Sequence, residues 1–410
     1  MGGVSMEWKE VTLGEISSKI GDGLHGTPKY DDEGPYYFIN GNNLNCGKII
    51  IKDDTKRVGK DEFVKNQKEL NEQTILVSIN GTIGNVAKYN NELCILGKSA
   101  CYITLQKEVD KEFIYYVLTS ANFKRNITNE ATGTTIKNVS LKQMREYKFN
   151  IPCNISDQRR IASILSSLDR KIELNNKINA DLEEMAQAIF KNWFVDFEPF
   201  KDGKFVDSEL GMIPEGWKVG RLDEIADVVG GSTPSKAKPE YYTQKGIAWL
   251  TPKDLSNHPA VYSSRGEIDI TEEGYNSTST KLMPKGTVLF TSRAPIGYIS
   301  IAQNDICTNQ GFKSLVPRKA GTCFLYCFLK YVTPVIENKS TGSTFKEASG
   351  SLMKSLQVIM PEQKVFEEFE TIVSPLFARI ESLEKENSRL SLLRDTLLPR
   401  LMSGELEVPE

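Results

Sequence analysis

The chain has 410 residues, 39% of them hydrophobic, and a formal net charge of −3. That length favours two or more domains with sizeable cores and excludes a disordered tail. Seven cysteines at irregular positions (Cys46, Cys94, Cys101, Cys153, Cys307, Cys323, Cys327), with no C-x-x-C pair, exclude a disulfide framework and a zinc site and point to a reducing cytoplasm.

The opening MGGVSMEWKE has neither an apolar export core nor a myristoylation Ser or Thr, and the apolar run CFLYCFLKYV is short and carries Lys330, so no membrane span or anchor is expected. The small total charge hides an alternation. Residues 1–150 hold 20 Lys and Arg against 19 Asp and Glu, 151–216 hold 8 against 12, 217–360 hold 17 against 12, and 361–410 hold 6 against 11. This order, neutral-to-basic, acidic, basic, acidic, leaves room for a polyanion partner on the first and third segments. It fits equally well with Glu-rich helix surfaces that serve solubility.

In the first segment, 1–152, loops rich in Gly, Asn and Pro (GDGLHGTPKY, NGNNLNCGK) alternate with β-branched runs such as TILVSI, which read as strands ending in tight turns. Near its end stands ATGTTIKN (131–138). The second segment, 153–198, is different in kind. Ile161, Leu168, Asn175, Leu182 and Ile189 recur every seven residues from a start that Ser156 or Asp157 can cap, predicting a helix from roughly 157 to 192, about 54 Å long.

The third segment, 199–360, repeats the first. EWKEVTLGEI (7–16) matches GWKVGRLDEI (216–225) at an offset of 209, pairing Trp8 with Trp217, Leu13 with Leu222 and Ile16 with Ile225. TILVSINGTIGNVA (74–87) matches TVLFTSRAPIGYIS (287–300) at 213, and STGSTFKE (340–347) returns the offset to 209, as loop insertions would. The fourth segment, 361–410, repeats the second, with Phe369, Leu376, Leu383, Leu390 and Leu397 in one series and Asn387 in the adjacent one. The expected fold class is therefore α+β. Two similar mixed α/β globular domains, 1–152 and 199–360, are joined by two long helices, 153–198 and 361–410. The helices pack as an antiparallel coiled coil with an internal pseudo-twofold repeat, and Asn175 and Asn387 set the register of the seam. The alternative is that each helix lies on its own domain.

Catalytic constellations are missing from the sequence. His25 and His258 stand in loops beside Gly or Pro and read as surface residues, and no phosphate loop, H-E-x-x-H, G-x-S-x-G, strand-coupled G-x-G-x-x-G or Asn-Pro-Pro-Tyr is present. Binding is expected, not catalysis. The repeated loop combines hydroxyls, a glycine and a cation, Thr134, Thr135 and Lys137 in one copy and Ser343, Thr344 and Lys346 in the other, which suits phosphate oxygens. A plain turn at Gly133 and Gly342 is the competing reading. Base readout belongs where the copies diverge: Asn80, with Thr82, faces Ser292 and Arg293 after matched strands, and Asn suits adenine where Arg suits guanine. Pairing of Arg293 with a local carboxylate remains open. Lys98, Gln310 and Lys313 are weaker candidates of the same type. At 3.4 Å per step the helix spans on the order of 16 base pairs, so two half-sites with a fixed gap are the expected target.

With these features the chain resembles the specificity (DNA-recognition) subunit of type I restriction-modification systems. The resemblance rests on LEEMAQAIFKNWFVDFEPF (182–200), GMIPEGWKVGRLDEIADVVGGSTPS (211–235), TSRAPIG, TNQGFKSL and LLPRLMSGELEV (397–408). It implies a non-catalytic protein whose two globular segments are target-recognition domains, each reading one half of a bipartite asymmetric sequence in double-stranded DNA. It also implies two methyltransferase subunits that bring S-adenosylmethionine to adenine N6, and two restriction subunits that bring ATP, Mg2+ and motor-nuclease activity. Carried onto this sequence, the family's docking segment falls on Phe190, Trp193 and Phe194, which would pack inside the second domain if they do not dock a partner. The first copy has INGTIG where the second has SRAPIG, so an arginine role cannot be transferred to the first half-site. Rival readings are a self-contained methyltransferase-restriction enzyme, for which cofactor motifs are missing, and a coiled-coil scaffold without nucleic acid, which suits the charge of −3.

Overall fold

The computed structural model describes residues 6–130, 137–293, 295–340, 346–406 and 408. The chain folds as two compact units, Met1–Ile172 with Arg389–Glu410 and Glu173–Ser388. Each unit holds a stretch of both long helices, in place of the expected separation of helices from domains.

In the first unit, strand Trp8–Thr12 pairs antiparallel with Lys148–Pro152, and a four-stranded antiparallel sheet runs Ser17–Asp22, Ala100–Leu105, Thr74–Ser78, Val86–Lys88. All five residues of TILVS in Thr74–Ser78 are buried, which is why that run is apolar without alternation. A parallel pair, Tyr36–Ile39 with Cys94–Leu96, forms a second layer. The core gathers Leu13, Ile75, Val77, Ile103, Phe113 and Phe123 from the sheet and its helices, Ile161 and Leu165 from the central helix, and Leu398 and Leu401 from the C-terminal one.

The second unit repeats the plan. Strand Lys218–Arg221 pairs antiparallel with Gln357–Met360, and a five-stranded sheet runs Ala226–Gly230, Lys313–Pro317, Val288–Ser292, Ile296–Ala302, Tyr262–Ser263, the last joining in parallel. Trp249–Leu250 pairs in parallel with Cys307–Thr308, as its counterpart does in the first unit. The repeat holds bond by bond: the Leu13 N–H donates to the Tyr147 carbonyl at 2.9 Å and the Leu222 N–H to the Leu356 carbonyl at 2.9 Å. Gly23 and Gly231 are a matched close approach. A Cβ on Gly23 would sit 2.1 Å from the Leu96 carbonyl oxygen, and one on Gly231 would sit 2.2 Å from those of Thr308 and Asn309.

The two long helices, Ile155–Phe194 and Gln363–Met402, are 40 residues each. They are thus about 60 Å long, more than the sequence suggested. Asn154, in place of Ser156 or Asp157, supports the first N-terminus, its side-chain oxygen accepting from the Ser156 N–H at 2.9 Å. Within each unit the two helices run antiparallel. In the second, Asn175 meets Asn387 while Phe190 meets Phe369; in the first, Asp169 meets Arg394 at 2.7 Å. The Asn175 amide donates to Glu386 Oε2 and Asn387 Oδ1, both at 2.9 Å, and the Asn387 amide donates to Asn176 Oδ1 at 2.7 Å. Among the described residues, no helix is long and apolar enough to cross a membrane.

Candidate nucleic-acid interface

In each unit three chain segments converge at the end of a buried sheet strand. In the first, strand Thr74–Ser78 runs into Ile79, whose N–H donates to the Ser99 carbonyl at 3.0 Å and whose carbonyl accepts from the Val139 N–H at 2.9 Å. The Gly81 N–H donates to the Lys137 carbonyl at 3.3 Å. Asn80, Lys98 and Lys137 are therefore carried by three adjoining backbones. Lys98, Lys137 and Thr82 are exposed and Asn80 is half-buried. Among the described residues none of these four side chains has a hydrogen-bond or ion-pair partner.

The second unit builds the same junction with other side chains. The Ser292 N–H donates to the Gly311 carbonyl at 2.7 Å, and the Ser292 carbonyl accepts from the Ala348 N–H at 2.9 Å. This brings Arg293, the 310–313 segment and the 346–348 segment together. Arg293 Nη1 lies 3.4 Å from Glu347 Oε2 and Lys313 Nζ lies 3.5 Å from Glu347 Oε1, so the local carboxylate left open by the sequence is Glu347. Gln310 is exposed and bonded to the Thr233 hydroxyl. Lys346 is exposed, its Nζ 3.4 Å from the Glu337 carbonyl.

Some candidate residues fall elsewhere. Ser292 is fully buried and its hydroxyl donates to the Gly311 carbonyl at 3.1 Å, so that hydroxyl serves the fold and offers no contact surface. Phe190 and Phe194, at 3% and 5% exposure, lie in the core of the second unit with Phe324, Phe366 and Phe369, and Trp193 packs against that core. An aromatic at every third or fourth helical position marks a buried stripe, and the Phe190 and Phe194 rings are taken up by the core, while Trp193 is half-buried at its edge. Thr134, Thr135, Ser343 and Thr344 lie outside the described residues. His25 pairs with Asp22 at 2.7 Å on the surface, and His258 is exposed at a helix end. Among the described residues no cluster of three or more His, Cys, Asp or Glu could hold a metal ion.

Beside the second junction lies an open cavity of about 490 Å³ lined by Arg221, Lys339, Lys354, Ser349, Ser351 and Glu347. Sequence reasoning missed this group because its members are scattered from 221 to 354. The one local signal was the Ser-rich run after Lys346. Arg221 is held by Asp223 at 2.8 Å, and hydrogen bonding from that guanidinium lowers the Asp223 pKa. Cations, serine hydroxyls and open volume together suit a phosphate-bearing ligand.

A family model described as "Type I restriction modification DNA specificity domain" matches residues 6–184 and again 214–392. The chain is 40% identical over 190 residues to the type I restriction enzyme MjaIX specificity subunit of Methanocaldococcus jannaschii, a match spanning 46% of this chain and 44% of that protein. It is 25% identical to the HindI specificity subunit of Haemophilus influenzae over 98% of this chain and 100% of that one. In fold it is similar to the crystal structure of a type I restriction-modification S subunit from M. genitalium, with a TM-score of 0.56 at 21% identity, covering 98% of this chain and 97% of that chain.

Proposed function

Because this chain belongs to the type I restriction-modification DNA specificity family, we propose that it is the non-catalytic subunit that reads a bipartite asymmetric sequence in double-stranded DNA, one half-site per unit. One observation carries the reading: the same three-segment junction occurs in both units on matched backbone hydrogen bonds, while the side chains it presents differ, Asn80 in one and Arg293 in the other. A shared frame with divergent polar side chains is what two readers of different short sequences require.

In this reading Lys98, Lys137 and Lys346 contribute phosphate contacts, together with the hydroxyls of Thr134, Thr135, Ser343 and Thr344. Asn80, Thr82, Arg293, Gln310 and Lys313 lie at the base edges, and the long helices set the gap between half-sites. The helical regions also dock two methyltransferase subunits, which supply S-adenosylmethionine chemistry, and two restriction subunits, which supply ATP- and Mg2+-dependent translocation and cleavage. Methylated adenines should be mapped by sequencing in a host whose only specificity subunit is this chain, expressed with its modification partners. The expected result is one two-part motif with an unread gap of fixed length; a single uninterrupted motif would overturn the bipartite reading.

A further inference from the structure

Glu347 is the carboxylate at the centre of the second junction, and a negative charge at a DNA-facing surface needs a reason. It repels phosphate, and cations surround it: Arg293 and Lys313 on one side, and Lys339, Lys354 and the Asp223-paired Arg221 around the adjoining cavity. Its place is fixed by the backbone, since the next residue, Ala348, donates to the Ser292 carbonyl at 2.9 Å. Its two oxygens are divided between two cations, Oε2 facing Arg293 Nη1 at 3.4 Å and Oε1 facing Lys313 Nζ at 3.5 Å. The Arg293 and Glu347 side chains are 36% and 39% exposed and Lys313 is 17% exposed, so the group is partly open to solvent.

The first unit carries no such group. By the sheet register and the junction bonds, Arg293 corresponds to Asn80, Glu347 to Asn138 and Lys313 to Cys101, none of which is charged in that setting. The charged group is thus an addition of the second unit to a common frame. A guanidinium reads guanine only when its planar fork is aimed at the base edge, and a free one turns to the nearest phosphate.

We infer that Glu347 is a positioning residue for specificity: braced by Lys313, it holds Arg293 towards a base edge and keeps it from neighbouring phosphates. This inference rests on the reading of the second unit as a DNA reader. It assigns the second half-site a base contact by Arg293 whose selectivity depends on Glu347.

The test uses the full chain assembled with its modification subunits and duplex libraries randomised in one half-site at a time. For E347Q, selectivity at one or more positions of the second half-site should fall about tenfold while the first half-site keeps its consensus. Binding to non-specific DNA should steepen in salt dependence by about one phosphate contact as the cations are released. E347D keeps the charge and should retain the wild-type salt slope. If Glu347 works through Arg293, the double variant R293Q/E347Q should be no less selective than R293Q alone. An unchanged second half-site in E347Q, equal losses in both half-sites, or additive losses in the double variant would each overturn the inference. Absence of any sequence preference in the wild-type complex would instead remove the proposed function beneath it.

Discussion

Glu384, on the C-terminal helix, illustrates how single side chains tie the second unit to its helices. Its Oε1 accepts from the Val261 N–H at 2.7 Å and its Oε2 from the Tyr262 N–H at 3.0 Å, just where strand Tyr262–Ser263 joins the sheet. Burial pushes its pKa from 4.5 up to about 7, against the two backbone bonds that lower it and with help from Glu183 and Glu381. With the folded value above the unfolded one, the native state binds the proton more tightly. The stabilisation is fully present below about pH 4.5 and is lost as pH rises to about 7, a difference on the order of 3 kcal/mol. Urea unfolding between about pH 5 and about pH 8 should therefore show a midpoint that declines as pH rises, and E384Q should flatten the decline. An equally steep decline in E384Q would assign the effect to other groups. None of this was legible beforehand: Glu384 occupies one more charged position in a Glu-rich helix, and its partners are backbone amides more than a hundred residues away. Glu347 was hidden in the same way, 54 residues from Arg293. The strand-end positions of Asn80 and Arg293 were readable because two copies could be laid against each other.

At the scale of elements, the helix seam and the close approaches of backbone make separate predictions. Asn175 is fully buried, and its amide serves both Glu386 and Asn387. N175L alone removes these two hydrogen bonds from the seam and should lower stability by about 1–3 kcal/mol. N175L/N387L removes the Asn–Asn pair and leaves Glu386 in place, and should recover part of that loss, since a seam Asn specifies register at a cost in stability. Comparing the urea midpoints of the single and double variants measures this directly. Gly23 and Gly231 meet carbonyl groups that belong to neighbouring strands and cannot turn aside, so G23A and G231A should each cost about 2 kcal/mol, read from the same midpoints. A loss confined to one of them would mean that the two units do not share this constraint. Helix existence was legible from the heptads, as were the strands TILVS and VLFTS. The fate of Phe190 and Phe194 was not, because an aromatic stripe after an amphipathic helix looks alike whether it faces a partner or its own domain.

For the whole molecule, the decisive prediction concerns spacing. Both long helices pass from one unit to the other, at 172–173 and 388–389. Inserting one heptad into each at those points adds about 10 Å. The gap between methylated half-sites should then widen by about three base pairs, as read by mapping methylated adenines. An unchanged gap would show that the helices do not set it. The duplication made the two-part plan legible, yet nothing in the repeat signalled that Arg389–Glu410 completes the first unit, because that contact joins residues more than two hundred positions apart. Leu398 and Leu401 fill the same core as Ile161 and Leu165, and a Cβ on Gly404 would touch the Trp8 indole at 2.8 Å. The unit that emerges first from the ribosome consequently waits for residues translated after the whole of the second unit. A nascent chain halted before 389 lacks Leu398 and Leu401 and leaves the apolar face that they cover open to chaperones.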